Sequence, residues 1–196
     1  SEIIQELCVH LVNRYGVDEL ETWYFEYWND PALHSFEPDG EYYQRFDLLY
    51  QTMKRYSEEI SVGGAGFILG YESMACKNIF EIWREREIHP DFLSFCSFQY
   101  IALIEEGERI GKKSIDSEYI SNQIQIMKLI MQEAKFEIPE LHIDEWNFTI
   151  SNRNILNDSC EQGAYILKNC FDMKGQVDIM AYWQALDLYS DYYDTD

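Results

Sequence analysis

The chain has 196 residues, with 36 acidic side chains against 15 basic ones and a net charge of −21. That surface repels phosphate backbones, so direct contact with nucleic acid is excluded; the plainer role of the charge is solubility. Hydrophobic residues make up 46% of the chain and aromatic residues 16%, enough to bury a sizeable core in one domain and too much for disorder.

Residues 2–15 carry helical spacing through Ile4, Leu7, Cys8, Leu11 and Val12, and Tyr15-Gly16 is the expected stop. Leu20 to Trp28 is aromatic and strand-like, and Asn29-Asp30-Pro31 ends it because proline cannot donate to a ladder. Glu41 to Glu58 is predicted helical, with Tyr42, Phe46, Leu49, Met53 and Tyr56 on one face. Ile60 to Phe67 reads as a short strand opening into a glycine turn at Gly63-Gly64-Ala65-Gly66. A phosphate loop there lacks its Lys-Ser/Thr, so close backbone packing is the expected reason for the glycines. Ser73 to Glu87 is amphipathic, Asp91 to Phe98 a buried strand, and Ile101 to Ser114 a charged loop or excursion. Asp116 to Lys135 is the clearest helix. Glu140 to Trp146 is a strand, Asn157 or Asp158 is the expected cap of a helix running to Cys170, and Val177 to Trp183 is a final strand.

The alternation of about five apolar strands with helices predicts a parallel sheet covered by helices, and functional residues at strand ends favour a TIM-type barrel. A doubly wound open sheet is the alternative, but no nucleotide fingerprint accompanies it. Residues 1–196 read as a single domain. A closed barrel needs eight strands, so either three strands precede residue 1 or the open sheet edge completes itself by association, as in a homodimer.

The five cysteines include no C-x-x-C pair, and the four histidines no ligand spacing. They read as reduced thiols of a cytoplasmic protein, with no metal or cofactor expected. His142 and Asp144 alternate on one strand, which is a weak metal signal by itself. The chain has no signal-peptide pattern and no apolar run of membrane-spanning length. Ser1 falls directly before a helical pattern, as expected for a piece of a longer protein, so a signal upstream stays open.

Two carboxylates stand at two strand ends, each among Trp and Asn: Trp28-Asn29-Asp30-Pro31 and Asp144-Glu145-Trp146-Asn147. A paired acid and nucleophile at that placement is what cleavage of a glycosidic bond needs, and flat aromatic rings suit sugar faces.

These residues carry a resemblance to glycoside hydrolase family 39, the β-xylosidase and α-L-iduronidase family of retaining enzymes. Tyr15-Gly16 with Trp23 to Pro31 resembles that family's fourth strand, which usually reads Trp-Asn-Glu-Pro. Val62-Gly63-Gly64 is similar to the fifth strand, Asp91 to Ser94 to the sixth, and Ile143 to Asn147 to the seventh. Asn157 to Ser159 with Ala164 to Ile166, then Tyr182-Trp183 and Asp187, follow the remaining helix and eighth strand. The resemblance implies a partial (β/α) barrel, strands four to eight.

By position, the resemblance implies Glu145 as nucleophile, Asn29 as the ligand of the sugar hydroxyl beside the anomeric carbon, and Trp183 as the floor of the subsite. Trp28 and Cys96 fall among the substrate-binding positions, and Asp30 stands where the family has its acid/base Glu. Asp is one methylene shorter, withdrawing the carboxyl by about 1.5 Å. Retaining enzymes hold their carboxyls about 5 to 5.5 Å apart, so the retreat gives roughly 6.5 to 7 Å, and a displacement of about 1 Å can cost on the order of a hundredfold in rate. The sixth strand departs too: Phe95, Cys96 and Phe98 replace the family's Arg-His pair and Tyr. The expectation is a degenerate domain that senses carbohydrate or scaffolds at the C-terminal end of an AraC-type regulator. The alternative is a working retaining β-xylosidase-like enzyme using Asp30 and Glu145.

Overall fold

Helix α1 (Glu2–Tyr15) forms where its spacing predicts and stops at Gly16. Gly16 has φ of 83° and ψ of 159°, a positive-φ conformation that glycine adopts without a Cβ clash. Ile4, Cys8, Leu11 and Val12 pack against Leu49 and Met53 of α3 (Glu41–Lys54) and against Ile60 and Val62. One further helical turn, α2 (Val17–Leu20), delays the first strand, so that β1 covers only Tyr24–Glu26 rather than the whole aromatic run from Leu20. Leu20 is fully buried in that cluster, and the N–H groups of Thr22 and Trp23 donate back to the carbonyls of Glu19 and Leu20 at 3.0 and 3.1 Å. Backbone groups committed to this turn cannot join the ladder. The structure, a computed structural model, describes residues 2–28, 40–68, 73–105, 108–149 and 154–184.

The chain continues through β2 (Ser61–Ile68), α4 (Ser73–Glu85), β3 (Phe92–Phe98), β4 (Tyr100–Glu105), β5 (Glu108–Lys113), α5 (Tyr119–Ala134), β6 (Glu140–Asn147), α6 (Cys160–Asp172) and β7 (Ile179–Tyr182). Strands β1, β2, β3, β6 and β7 lie side by side in that order, all parallel. This is a half-barrel, five parallel strands of a TIM barrel with their covering helices. The core lies between sheet and helices, where Phe46, Phe80, Trp83, Leu93, Phe95, Ile124, Ile143 and Trp146 are buried.

The glycines of β2 do not open a turn; they sit inside an eight-residue strand. A methyl on Gly63 would lie 2.3 Å from the carbonyl oxygen of Phe92, and one on Gly64 2.7 Å from the Tyr42 hydroxyl. Close approach, from β3 on one side and α3 on the other, is why this strand lacks side chains.

The stretch expected to be a charged loop or excursion is an excursion in the form of an antiparallel hairpin, β4 pairing with β5 from Tyr100↔Lys113 to Glu105↔Glu108. Gln99 secures its root, donating to the carbonyls of Ser114 and Asp116 at 2.9 and 2.7 Å. The cap of α6 is Ser159, not Asn157 or Asp158: its hydroxyl accepts from the Gln162 N–H at 3.2 Å, while Asn157 and Asp158 belong to a 3-10 turn capped by Asn154. Cys8, Cys96, Cys160 and Cys170 are thiols rather than disulfides. No helix among the described residues is long and apolar enough to cross a membrane.

Candidate active site

Alternate residues of each parallel strand point away from the helices, and here they stack in layers on the open concave face. The lowest layer is aromatic: the Phe92 ring stacks on His142 at 4.5 Å, and Tyr24 meets both edge-on at 5.5 and 4.9 Å. His142 is also paired with Glu140, Nε2 to Oε2 at 2.9 Å.

The middle layer is carboxyl-rich. Ser94 Oγ donates to Glu26 Oε1 and accepts from the Gly66 N–H at 2.9 Å. Asp144 lies close enough across the face for the two carboxyls to feel each other's charge. Burial first, and then the charge of Asp144, push the Glu26 carboxyl up to about 8.

The upper layer holds Glu145, Cys96 and Trp28. Glu145 Oε2 lies 4.0 Å from the Cys96 thiol, and that thiol lies 4.0 Å from the Gly66 carbonyl. Trp28 covers Gly66 so closely that a methyl there would stand 2.9 Å from its indole. Burial raises the Glu145 carboxyl, and the neighbouring Asp144 charge raises it further.

Two consecutive carboxylates reach this face because of a bulge. The register runs Phe95↔Ile143 and then Cys96↔Glu145, leaving Asp144 as an extra residue in β6. Plain alternation would send residue 145 the same way as Ile143, into the helix-side core. Instead Ile143 and Trp146 are the residues buried there, and Asp144 and Glu145 are left on the concave side, the re-aiming that bulges provide beside active sites.

Trp183 follows β7 and is tied to β6: its N–H donates to the Trp146 carbonyl at 3.0 Å, and its own carbonyl accepts from Asn147 Nδ2 at 2.7 Å. Asn147 Oδ1 in turn takes N–H groups from Gln162 and Phe148 at 2.7 and 2.6 Å. Nothing local in the sequence marks Asn147 as a brace between strands.

Of the residues expected to form the site, Glu145 and Cys96 are therefore neighbours, Trp28 stands over Gly66 beside Cys96, and Trp183 is fixed at the end of the adjacent strand. Asn29 and Asp30 lie outside the described residues. Sequence reasoning missed Glu26, although Tyr24, Glu26 and Trp28 alternate and so share the concave face.

Residues 1–194 match the family model described as glycosyl hydrolases family 39. The chain is 25% identical over 196 residues to a β-xylosidase of Geobacillus stearothermophilus and 26% identical over 204 to one of Caldicellulosiruptor saccharolyticus. Each match takes in 97% of this chain and 39% of the relative. The chain thus spans about 39% of the length of the curated relatives it matches. Among solved structures, a monomeric β-xylosidase from Caulobacter crescentus CB15 superposes with a TM-score of 0.75 at 25% identity, over 96% of this chain and 38% of that one. A glucosidase from Croceicoccus marinus shares the fold, with a TM-score of 0.73 at 18% identity over 97% and 39%. A half-barrel with a strand-end glutamate facing its concave side, matched along nearly its whole length, belongs to glycosyl hydrolase family 39.

Proposed function

We propose that this domain holds a carbohydrate at the cleft of Glu145, Trp28 and Trp183 without efficient hydrolysis, as the sensing or scaffold domain of a cytoplasmic AraC-type transcriptional regulator. The observation that carries this reading is the Cys96 thiol 4.0 Å from Glu145, at a position where the family usually has a histidine. A thiol is a weak hydrogen-bond donor and gives the glutamate little of the orientation an imidazole would supply. Asp30 adds to the loss, since its shorter side chain draws the acid back by about 1.5 Å. The net charge of −21 suits a domain that stays off DNA while a separate module binds it.

A second reading is favoured by Glu145 itself, which stands near the C-terminal end of β6 and faces the cleft. In that reading Asp30 protonates the leaving oxygen, Glu145 attacks the anomeric carbon to form a glycosyl-enzyme ester, and water then releases the sugar with Asp30 as base.

The test is hydrolysis of an aryl β-xyloside by the full-length protein, with Glu145→Gln as control, run beside calorimetric titration with xylose and xylobiose. Binding without turnover supports the sensing role. Turnover that the control abolishes would replace it with the enzymatic one. A basic helix-turn-helix segment in the full reading frame is the further mark of a regulator.

A further inference from the structure

Beneath Glu145, Glu26 and Asp144 meet across the concave face, one from β1 and one from the bulge of β6. Ionised carboxylates only accept hydrogen bonds, so a hydrogen bond between two of them needs a proton on one. Ser94 cannot fill the gap. Its single proton goes to Glu26 Oε1, and its oxygen already accepts from the Gly66 N–H. Asp144 Oδ2 is buried with no partner among the described residues, and a buried acceptor left unpaired is costly.

We propose that Glu26 is a protonated positioning residue whose carboxyl hydrogen is donated to Asp144, fixing the β6 bulge and thereby the aim of Glu145. The pair then carries one negative charge rather than two. Loss of that proton sets two carboxylates against each other one residue from Glu145 and releases the bulge, which makes the Glu145 site sensitive to alkaline pH. The inference rests on the carbohydrate-binding reading for its consequence, but the shared proton stands apart from it.

The surroundings favour the arrangement. From β1 the pair faces Tyr24 one layer below. From β2, which has no ionisable side chain, comes the Gly66 N–H. From β3 come Ser94 and Cys96, and from β6 come Glu145, Glu140 and His142, the last of which favours charge on Asp144. From α3 the Tyr42 hydroxyl donates to the Tyr27 carbonyl at 3.1 Å. Burial raises both carboxyls, but His142 pulls Asp144 back towards its charged form, so the proton resides on Glu26, whose carboxyl stands at about 8.

The proton is read directly by carbon-13 NMR of side-chain carboxyls in full-length protein labelled at glutamate, with the Glu26 signal assigned by its loss in Glu26→Gln. The expected result is a Glu26 carboxyl that titrates near pH 8. Titration in the ordinary range near 4.5 overturns the proposal whatever the sugar experiments give. The second arm is xylose affinity at pH 6 and pH 9. With binding dependent on a group at about 8, affinity falls roughly tenfold by pH 9. In Glu26→Gln, whose amide donates at every pH, affinity stays high and the ratio between the two pH values falls to near one, whereas Glu26→Leu, with no donor, binds weakly at both. A wild-type affinity that stays flat while Glu26 titrates would overturn the positioning role. Absence of xylose binding at any pH would count against the carbohydrate reading, with the carboxyl titration still deciding the pair.

Discussion

Placing a single methyl on Gly63 tests whether the glycine-rich strand is set by close packing. The methyl would sit 2.3 Å from the Phe92 carbonyl oxygen and 2.6 Å from Phe92 Cγ, whereas real Cβ atoms essentially never come within 3.0 Å of a neighbour. Neither obstacle can step aside. The oxygen is backbone, and the ring is held in a 13° stack on His142. Strands β2 and β3 must therefore separate, in the centre of the sheet. Overpacking costs about 1–3 kcal/mol and more where backbone moves, so about 3 kcal/mol is a fair value for Gly63→Ala. At about 2–4 °C per kcal/mol for a chain of this size, Tm drops by about 6–12 °C. Gly163→Ala is the matched control. It lies in α6 with nothing within 4 Å of the added methyl. A helical alanine in place of glycine is worth about 0.5–1 kcal/mol, so Tm rises by about 1–4 °C. Thermal melts of the full-length protein followed by circular dichroism read both. If Gly63→Ala melts together with the wild type, the packing of Phe92 over Gly63 is not what holds these strands together.

Asn147→Ala removes the acceptor shared by Gln162 and Phe148 and the donor to Trp183. Leaving buried groups unpaired costs about 1–3 kcal/mol each, and xylose affinity should fall along with the urea midpoint because Trp183 loses its brace. Ser159→Ala deletes the cap of α6, expected at about 1 kcal/mol in urea unfolding, while Asp158→Ala, which does not cap it, stays within about 0.5 kcal/mol. Stability should also fall with rising pH. The folded Glu26 carboxyl at about 8 lies above its ordinary 4.5, so the native state keeps a proton that the unfolded chain gives up. Stability is then full below about pH 4.5, declines towards pH 8 and levels above it. Urea midpoints of wild type and Glu26→Gln from pH 4 to pH 9 should converge at the acid end and part at the alkaline end, and parallel curves would refute the assignment. Thiol mapping by mass spectrometry should find Cys160 and Cys170 alkylated in native protein, with Cys8 and Cys96 protected until unfolding.

The half-barrel was legible because buried parallel strands write continuous apolar runs and their helices write a 3.6-residue period. What stayed hidden was decided by contacts distant in sequence. The run from Leu20 looks like one strand, but Leu20 is claimed by the core beneath α1. The run Asn157-Asp158-Ser159 offers three capping residues in a row, and only the 3-10 turn from Ile155 selects the third. In the hairpin, the charges of Glu105, Glu108, Arg109, Lys112 and Lys113 mask the alternation of the two strands. At the site, Glu145 and Trp183 could be singled out by position, whereas the bulge at Asp144 leaves no local signature. Without it, Asp144 and Glu145 cannot be seen to share a face. Glu26 was legible in principle, as a carboxylate in phase with Tyr24 and Trp28, but the aromatic character of its neighbours drew the reading towards packing.

The brevity of β1 bears on how the site opens and closes. Among the described residues, Glu145 rides on an eight-residue strand paired on both sides, whereas Glu26 ends a three-residue strand paired with β2. Short ladders fray before long ones, so the two sides of the cleft belong to different tiers of local unfolding. Amide exchange should be fastest at Tyr24–Glu26 and slowest in β3 and β6. A ligand that spans the cleft would ally the short strand to the long ones, and part of its binding energy would be spent on ordering that strand. Affinity for such a ligand is then weakened by the free energy of closing β1, and any covering that pins this strand in place would tighten binding without touching the ligand.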